Sequence, residues 1–354
     1  GSGPGGPLAD LMYNLAMLPA IKEIDVQLVS SGLVFSTHTN TSVFTDTGRI
    51  AQGRDALSPA AVTAFVDDLS GSAPLDLQAC TSAALFQQKI SFFISIFVQA
   101  LHKRGMVLNC KPGKSAALIS LAGPNSGKAK KWLHNMCGYI TVDTLQFQVV
   151  PGYKLLGGMI DAASSLAPEV HARQQAVTCI ATPYHKYVSS KTNLTIPQSV
   201  TCTNSMIVSS LLFNAHTWCN ITDAQLQTVD ARLATTYGAC IPHKVVKNGY
   251  NNKFRRISNE QIFDMVGMPD AYRQLRYKRL LFLPRLLSAA PDSLLRVLDA
   301  TVLQPGSYAC TITSDLQWLG AHASRIVKME DPPSTLYQWL NFCATKSWKS
   351  HIRN

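Results

Sequence analysis

Leu8, Leu11, Leu15 and Leu18 follow Pro7 at three- and four-residue spacing. That spacing predicts a helix with a proline in its first turn and leucines on one face, ending before Pro19. From Ser30 to Ser58 the pattern changes to Ser, Thr, Gly and Asp with short apolar interruptions, which predicts a strand pair and a connecting loop rather than a helix. Val62, Ala64, Phe65, Val66 and Leu69 then form an apolar, strand-forming run closed by Ser70-Gly71-Ser72, the pattern of a hairpin. Ala79 to Arg104 is the longest helix-compatible stretch, with Leu85, Ile90, Ile94, Phe97, Val98 and Leu101 on the recurring positions and Gly105 as its stop. Val107 to Leu108 and Ala116 to Leu121 read as strands around a turn at Lys114. From about residue 165 helical periodicity takes over: Val208, Leu211, Leu212 and Ala215, then Leu226, Val229 and Leu233, then Leu280, Leu283, Leu286 and Leu287. A β-rich half followed by a helical half gives an α+β chain. The basic, Asn-rich stretch from Pro242 to Ile257 is the expected boundary within the helical half.

Composition sharpens this picture. The 354 residues are 46% hydrophobic, enough for a substantial core and two structural units. The net charge of +11 suits a polyanionic partner, because Lys and Arg neutralise phosphates and release counterions. The basic residues cluster at Lys128, Lys130 and Lys131, at Lys253, Arg255 and Arg256, and at Arg273, Arg276, Lys278 and Arg279. The nine cysteines are scattered singly, with no Cys-x-x-Cys pair and no matched Cys/His spacing. Neither a disulfide framework nor a zinc site is indicated, and a reducing intracellular setting, nucleus or cytoplasm, is expected. Ile90 to Leu101 is very apolar, but the His102-Lys103-Arg104 that follows leaves it short for a bilayer, so it reads as a core helix and no membrane partner is expected. Gly123-Pro124-Asn125-Ser126-Gly127-Lys128 has the look of a phosphate loop, but its glycine spacing is one short and no Ser or Thr follows Lys128.

The hairpin run contains two adjacent carboxylates, Asp67 and Asp68. Side by side in apolar surroundings they repel each other and lose hydration, and a divalent cation such as Mg²⁺ is a natural compensation. Taken alone, the pair also fits an ordinary Asp-Asp turn between strands.

The order of segments around the pair resembles the palm of reverse transcriptases of the non-LTR retrotransposon type. Phe65-Val66-Asp67-Asp68 is similar to that family's catalytic hairpin. Gly3-Pro4-Gly5-Gly6-Pro7-Leu8 upstream looks like its Gly-rich turn and Pro-Leu helix start. Gly105-Met106-Val107-Leu108-Asn109 leading to Lys114-Ser115 resembles its next element, and Tyr153-Lys154-Leu155-Leu156-Gly157-Gly158 resembles its primer-grip hairpin. Beyond the palm, Glu169, Arg173 and Ala176 stand where the family's thumb begins, and Leu211 to Trp218 looks like its thumb helix. Ile257-Ser258-Asn259-Glu260-Gln261-Ile262 and the basic stretch from Arg273 to Leu287 are similar to the region after the thumb, so the resemblance runs from residue 1 to about 300.

The resemblance implies a partial right-hand polymerase palm at 1–160, an antiparallel sheet with packed helices, then an all-helical thumb at 161–245 and a basic helical C-terminal region at 246–354. It implies an RNA-directed DNA polymerase that joins a primer 3′-hydroxyl to a nucleotide α-phosphate, using two Mg²⁺ ions held roughly 3.5 to 4 Å apart by carboxylates. Asp67 would be the shared metal ligand and Asp68 its supporting neighbour. Gly5, Gly6, Pro7 and Phe65 would form the nucleotide pocket, Lys114 would act catalytically by stabilising the triphosphate charge or by donating a proton to the leaving pyrophosphate, and Tyr153, Lys154, Leu156 and Gly157 would hold the primer. Arg255, Arg256, Arg273 and Arg276 would contact nucleic acid, the partners being an RNA template, a DNA primer and deoxynucleoside triphosphates. The family's first catalytic Asp lies before the Gly-Pro-Leu turn at which this chain starts. The second metal site is therefore expected to be incomplete here, the fingers and N-terminal palm missing, and the chain inactive alone. The alternative is a non-catalytic nucleic-acid-binding remnant of a mobile element. His216 and Trp218 read as core and helix-edge residues, and no hydrolase triad has a local signature.

Overall fold

Ser82 is the kind of residue that starts a helix, and in the computed structural model its hydroxyl accepts from the Leu85 amide at 3.2 Å. The structure describes residues 9–33, 42–52, 62–65, 68–184, 194–241, 245–247, 254–326, 333–343 and 348, with the backbone alone at 9–16, 62–65, 68, 245–247, 254–256 and 323–326. The chain is α+β, 62% helical with a small mixed sheet. It divides into two units, one of residues 1–40, 55–165 and 291–297, the other of 41–54, 166–290 and 298–354.

In the first unit, helix α1 (Ala9–Ser30) runs through Pro19 instead of ending before it. The residues that follow supply the reason. Ala20, Ile24 and Leu28 are fully buried at helical spacing, Ile24 and Leu28 against Ile96 and Ala100 of the next long helix of this unit. Packing of that kind outweighs the one backbone bond a proline removes. That partner helix (Ala83–His102) has 20 residues, longer than the apolar core read from the sequence. By length and composition alone it is apolar enough to cross a bilayer. In the fold it is a central helix, with Ile96 and Ala100 toward α1 and Phe86, Ile90 and Ile94 toward a three-stranded sheet.

The sheet is built from Ala116–Leu118, Leu145–Val150 and Tyr139–Val142, in that spatial order. The outer strand Tyr139–Val142 is antiparallel to the central strand, but Ala116–Leu118 runs parallel to it. The antiparallel sheet expected from the resemblance is therefore a mixed one. A helix, Ser126–Asn135, returns the chain after Ala116–Leu118 and so permits the parallel pairing. Its fully buried Ala129 lets it lie close, and its Trp132 ring meets Phe86 at 5.6 Å. Val107 and Leu108, expected as a strand, belong to no strand. Two separate two-stranded ribbons complete the unit: Val62–Phe65 with Asp68–Gly71, and Gly152–Leu155 with Gly158–Asp161.

In the second unit, residues 43–52 were expected to be loop or strand and are helical (Val43–Gln52). Local propensity does not explain this, since Thr and Gly are poor helix formers. The buried Asp299 carboxylate does: it accepts from the Phe44 and Thr45 amides at 2.7 and 3.0 Å and from the Thr45 hydroxyl at 2.6 Å. At the other end the Gln52 amide group donates to the carbonyls of Leu287 and Ala290. A cap supplied from 255 residues away is invisible to a local pattern.

The main core of this unit gathers Val177, Leu211, Trp218, Val229, Leu233 and Tyr237 from the helices Ala167–Tyr184, Ile196–Thr203 with its continuation, and Asp223–Gly238. The expected helix across 211–218 is broken. A π turn (Asn204–Val208) leads into a last helical turn, Ser209–Leu211, after which Asn214 takes φ 56° and a 3₁₀ turn spans Ala215–Thr217. The half expected to be all-helical also contains a short antiparallel ribbon, Val245–Lys247 with Phe254–Arg256. Then come helices Asn259–Val266, Ala271–Ala289, Asp292–Thr301, Tyr308–Ile326 and Leu336–Cys343, of which Asp292–Thr301 straddles the division between units.

Pro284 lies inside Ala271–Ala289 and cannot donate to the carbonyl of Leu280. The indole of the buried Trp348 donates to that oxygen at 2.8 Å. Trp348 also completes an edge-to-face cluster with Trp339 and Phe342.

Candidate functional site

Phe65 pairs with Asp68 in the first ribbon, so Val66 and Asp67 form the connection between its strands. Those two residues, the side chains of Phe65 and Asp68, and Gly5, Gly6 and Pro7 lie outside the described residues. The ribbon is held from below. Leu69 packs on Ile24, Leu28 and Ala100 and also on a smaller cluster of Met17, Ala20 and Leu101. Gly71 lies under the Phe97 ring so closely that a Cβ there would collide with it, which is why glycine ends this strand.

Met106 and Leu108 pack on the same small cluster as Leu69. The segment leading to Lys114 thus shares its footing with the Asp68 strand. After Leu108 the chain makes a tight turn: the Lys114 amide donates to the Lys111 carbonyl at 3.0 Å, the Ser115 amide to the Asn109 carbonyl at 2.9 Å, and Gly113 takes φ 77°. Lys114 is exposed, directly before the strand Ala116–Leu118.

The ribbon carrying Tyr153, Lys154, Leu156 and Gly157 turns with two residues at positive φ, Leu156 at 48° and Gly157 at 81°, the pattern of a type I′ hairpin. Lys154 and Leu156 are exposed and Tyr153 is half-buried. The Tyr153 hydroxyl donates to the Lys114 carbonyl at 2.7 Å. Two elements singled out separately in the sequence are therefore in direct contact.

The basic residues separate into two kinds. Arg255 and Arg256 pair through their backbones with Val246 and Val245, and their side chains lie outside the described residues. Arg273 is exposed, with Asp270 at 3.8 Å. Arg276 is not a surface residue: it is 5% exposed, 3.3 Å from Asp315 and over the rings of Tyr272 and Trp318. Arg279 is buried as well and grips the same carboxylate with two donors at 2.6 and 3.0 Å. Arg276 was expected on the nucleic acid, and the Asp315 carboxylate holds it in the core instead. The signal was present, since Asp315 is a lone carboxylate among Ile312, Leu316 and Leu319, and a charge on an apolar helix face asks for a buried counter-charge. The Glu169 and Arg173 pair, i and i+4, is an ion pair at 2.8 Å with Arg173 also over the Phe213 ring.

His216 packs against Phe282 with ring centroids 4.2 Å apart and the ring planes tilted by 39°. Burial, and then repulsion from Lys278 and Arg285, hold its imidazole below the ordinary histidine pKa. Among the described residues no three His, Cys, Asp or Glu side chains come together as a metal site. No protein-family model matches the chain, nor does any curated protein sequence or solved structure.

Proposed function

We propose that the chain is the palm and thumb portion of a reverse transcriptase, an RNA-directed DNA polymerase of a retrotransposon. The observation that carries the reading is the tight ribbon pairing Phe65 with Asp68, whose Leu69 shares a packing cluster with the approach to Lys114. The Tyr153 contact with Lys114 supports it, since it ties the primer-grip candidate to the same region.

In this reading the primer 3′-hydroxyl attacks the nucleotide α-phosphate and pyrophosphate leaves. Asp67 and Asp68 would hold Mg²⁺, for which carboxylate oxygens are the suitable hard donors. The ions, when bound, favour hydroxyl attack and neutralise triphosphate charge. Lys114 places an exposed cation beside the leaving phosphates. Tyr153, Lys154, Leu156 and Gly157 position the primer end, and Gly5, Gly6, Pro7 and Phe65 line the nucleotide pocket. Template and primer phosphates meet Arg255, Arg256 and Arg273, whereas Arg276 serves the buried pair with Asp315.

Iron-directed cleavage tests this. Fe²⁺ substituted for Mg²⁺, with ascorbate and peroxide, should cut the backbone within residues 62–71. The cuts should be suppressed by excess Mg²⁺ and absent from Asp67→Asn. No cutting in that segment would remove the metal role of the Asp pair.

A further inference from the structure

Helix Ala271–Ala289 carries five cations. Three are compensated: Arg273 lies near Asp270, and Arg276 and Arg279 share Asp315. Among the described residues Lys278 and Arg285 have no carboxylate within ion-pair distance. Lys278, Phe282 and Arg285 follow at four- and three-residue spacing, so they lie on one face of the helix. His216 rests on Phe282, and so its imidazole sits on the face that Lys278 and Arg285 bracket.

That arrangement is costly as it stands. Lys278 is half-buried, and burial lowers its pKa with no opposing charge to hold it up. Both Lys278 and Arg285 repel a protonated His216. An anion bound between them would remove these costs together, with a guanidinium fork, an ammonium and an imidazole as donors.

We propose that His216, Lys278 and Arg285 form a site for a phosphodiester of a nucleic-acid strand. A nucleic acid fits better than an isolated anion, because the chain as a whole has 32 Lys and Arg against 21 Asp and Glu. The site does not depend on the catalytic reading, whose Asp67, Lys114 and Tyr153 belong to the other unit.

The test is fluorescence anisotropy of labelled single-stranded RNA and duplex DNA against the whole chain, titrated with KCl. The variants are Lys278→Gln with Arg285→Gln, and Arg285→Glu alone. Position 285 is exposed, so the single variant leaves the packing intact, and a thermal melt checks both. The double variant should weaken binding at low salt about tenfold and reduce the salt slope on duplex DNA by roughly 0.9, one phosphate contact. Arg285→Glu should move both in the same direction. Unchanged affinity and slope in the two variants would overturn the proposal. So would inorganic phosphate competing as well as the strand at equal phosphate concentration, which would make it a free-anion site. Loss of binding to phosphatidylcholine and phosphatidylserine vesicles with nucleic-acid affinity untouched would overturn it in favour of a membrane surface.

Discussion

The Tyr153 hydroxyl and the Lys114 carbonyl oxygen are joined by a 2.7 Å hydrogen bond that spans 39 residues of sequence. It fixes an exposed lysine turn to the edge of a hairpin, and so sets where the Lys114 ammonium can reach. Tyr153→Phe keeps the ring and removes the bond. It should cost about 1 kcal/mol in urea unfolding. It should also speed amide exchange of Lys114 and Ser115, whose donors lie in the turn. Unaltered exchange there would show that the turn holds itself.

Leu156 is a bulky residue at φ 48°, a conformation that suits Asn or Gly, and its side chain is 47% exposed. Leu156→Asn should therefore stabilise the chain by roughly 1 kcal/mol. If the ribbon holds a primer end, the same change should raise the KM for primer in the chain joined to the N-terminal palm and fingers of the proposed polymerase. A variant more stable and equally active would free Leu156 from that role.

Trp348 supplies the donor that Pro284 withholds from the Leu280 carbonyl. Trp348→Phe should cost at least about 1–3 kcal/mol, the range for a buried acceptor left empty. Pro284→Ala restores an amide at position 284, so it should stabilise the Trp348→Phe background more than the wild type. Equal effects in the two backgrounds, read from thermal or urea unfolding, would contradict this account of the pair.

What could be read from the sequence follows from how local each cause is. The ribbon at 62–71 was legible because its apolar pattern and turn residues are contiguous, whereas the hairpin around 153–158 was reached through the resemblance and not through its pattern. The long helix ending at Gly105 was legible because its apolar spacing is regular. The helix at 43–52 was hidden because its cap, Asp299, comes from near the other end of the chain. Pro19 misled because the helix it interrupts is kept by Ile24 and Leu28 packing on Ile96 and Ala100. Three helix starts had a readable signal that the apolar spacing alone did not use: Thr195 with Gln198, Thr222 with Gln225, and Ser258 with Gln261 are capping boxes. At the candidate site, residue types were legible but burial was not. Arg273 and Arg276 look alike in sequence, and Asp315 separates them.

Burial raises the pKa of Tyr237 to about 12, against a smaller lowering by Gln274. Its hydroxyl donates to the Asn204 side-chain oxygen at 2.7 Å. The unfolded tyrosine ionises near pH 10, while the folded one stays protonated until about 12. Between these values the unfolded state binds fewer protons, so stability falls as pH rises through that window and flattens above it, by up to about 3 kcal/mol. Urea midpoints taken from pH 9 to 12 should show the fall, and Tyr237→Phe should flatten part of it at the cost of a lower midpoint at pH 8. A wild-type midpoint that holds steady across the window would mean that Tyr237 is not protected from ionisation.

The proposal that Asp67 serves nucleotidyl transfer is tested most directly by primer extension on an RNA template, with deoxynucleoside triphosphates and Mg²⁺, using the chain joined to the N-terminal palm and fingers that the proposed reading requires. Asp67→Asn should lower the extension rate by several orders of magnitude while primer–template affinity stays within about twofold, because in the proposed reading the change removes a metal ligand and no phosphate contact. Extension by Asp67→Asn near the wild-type rate would contradict the account, and Asp67-Asp68 would then be an ordinary turn.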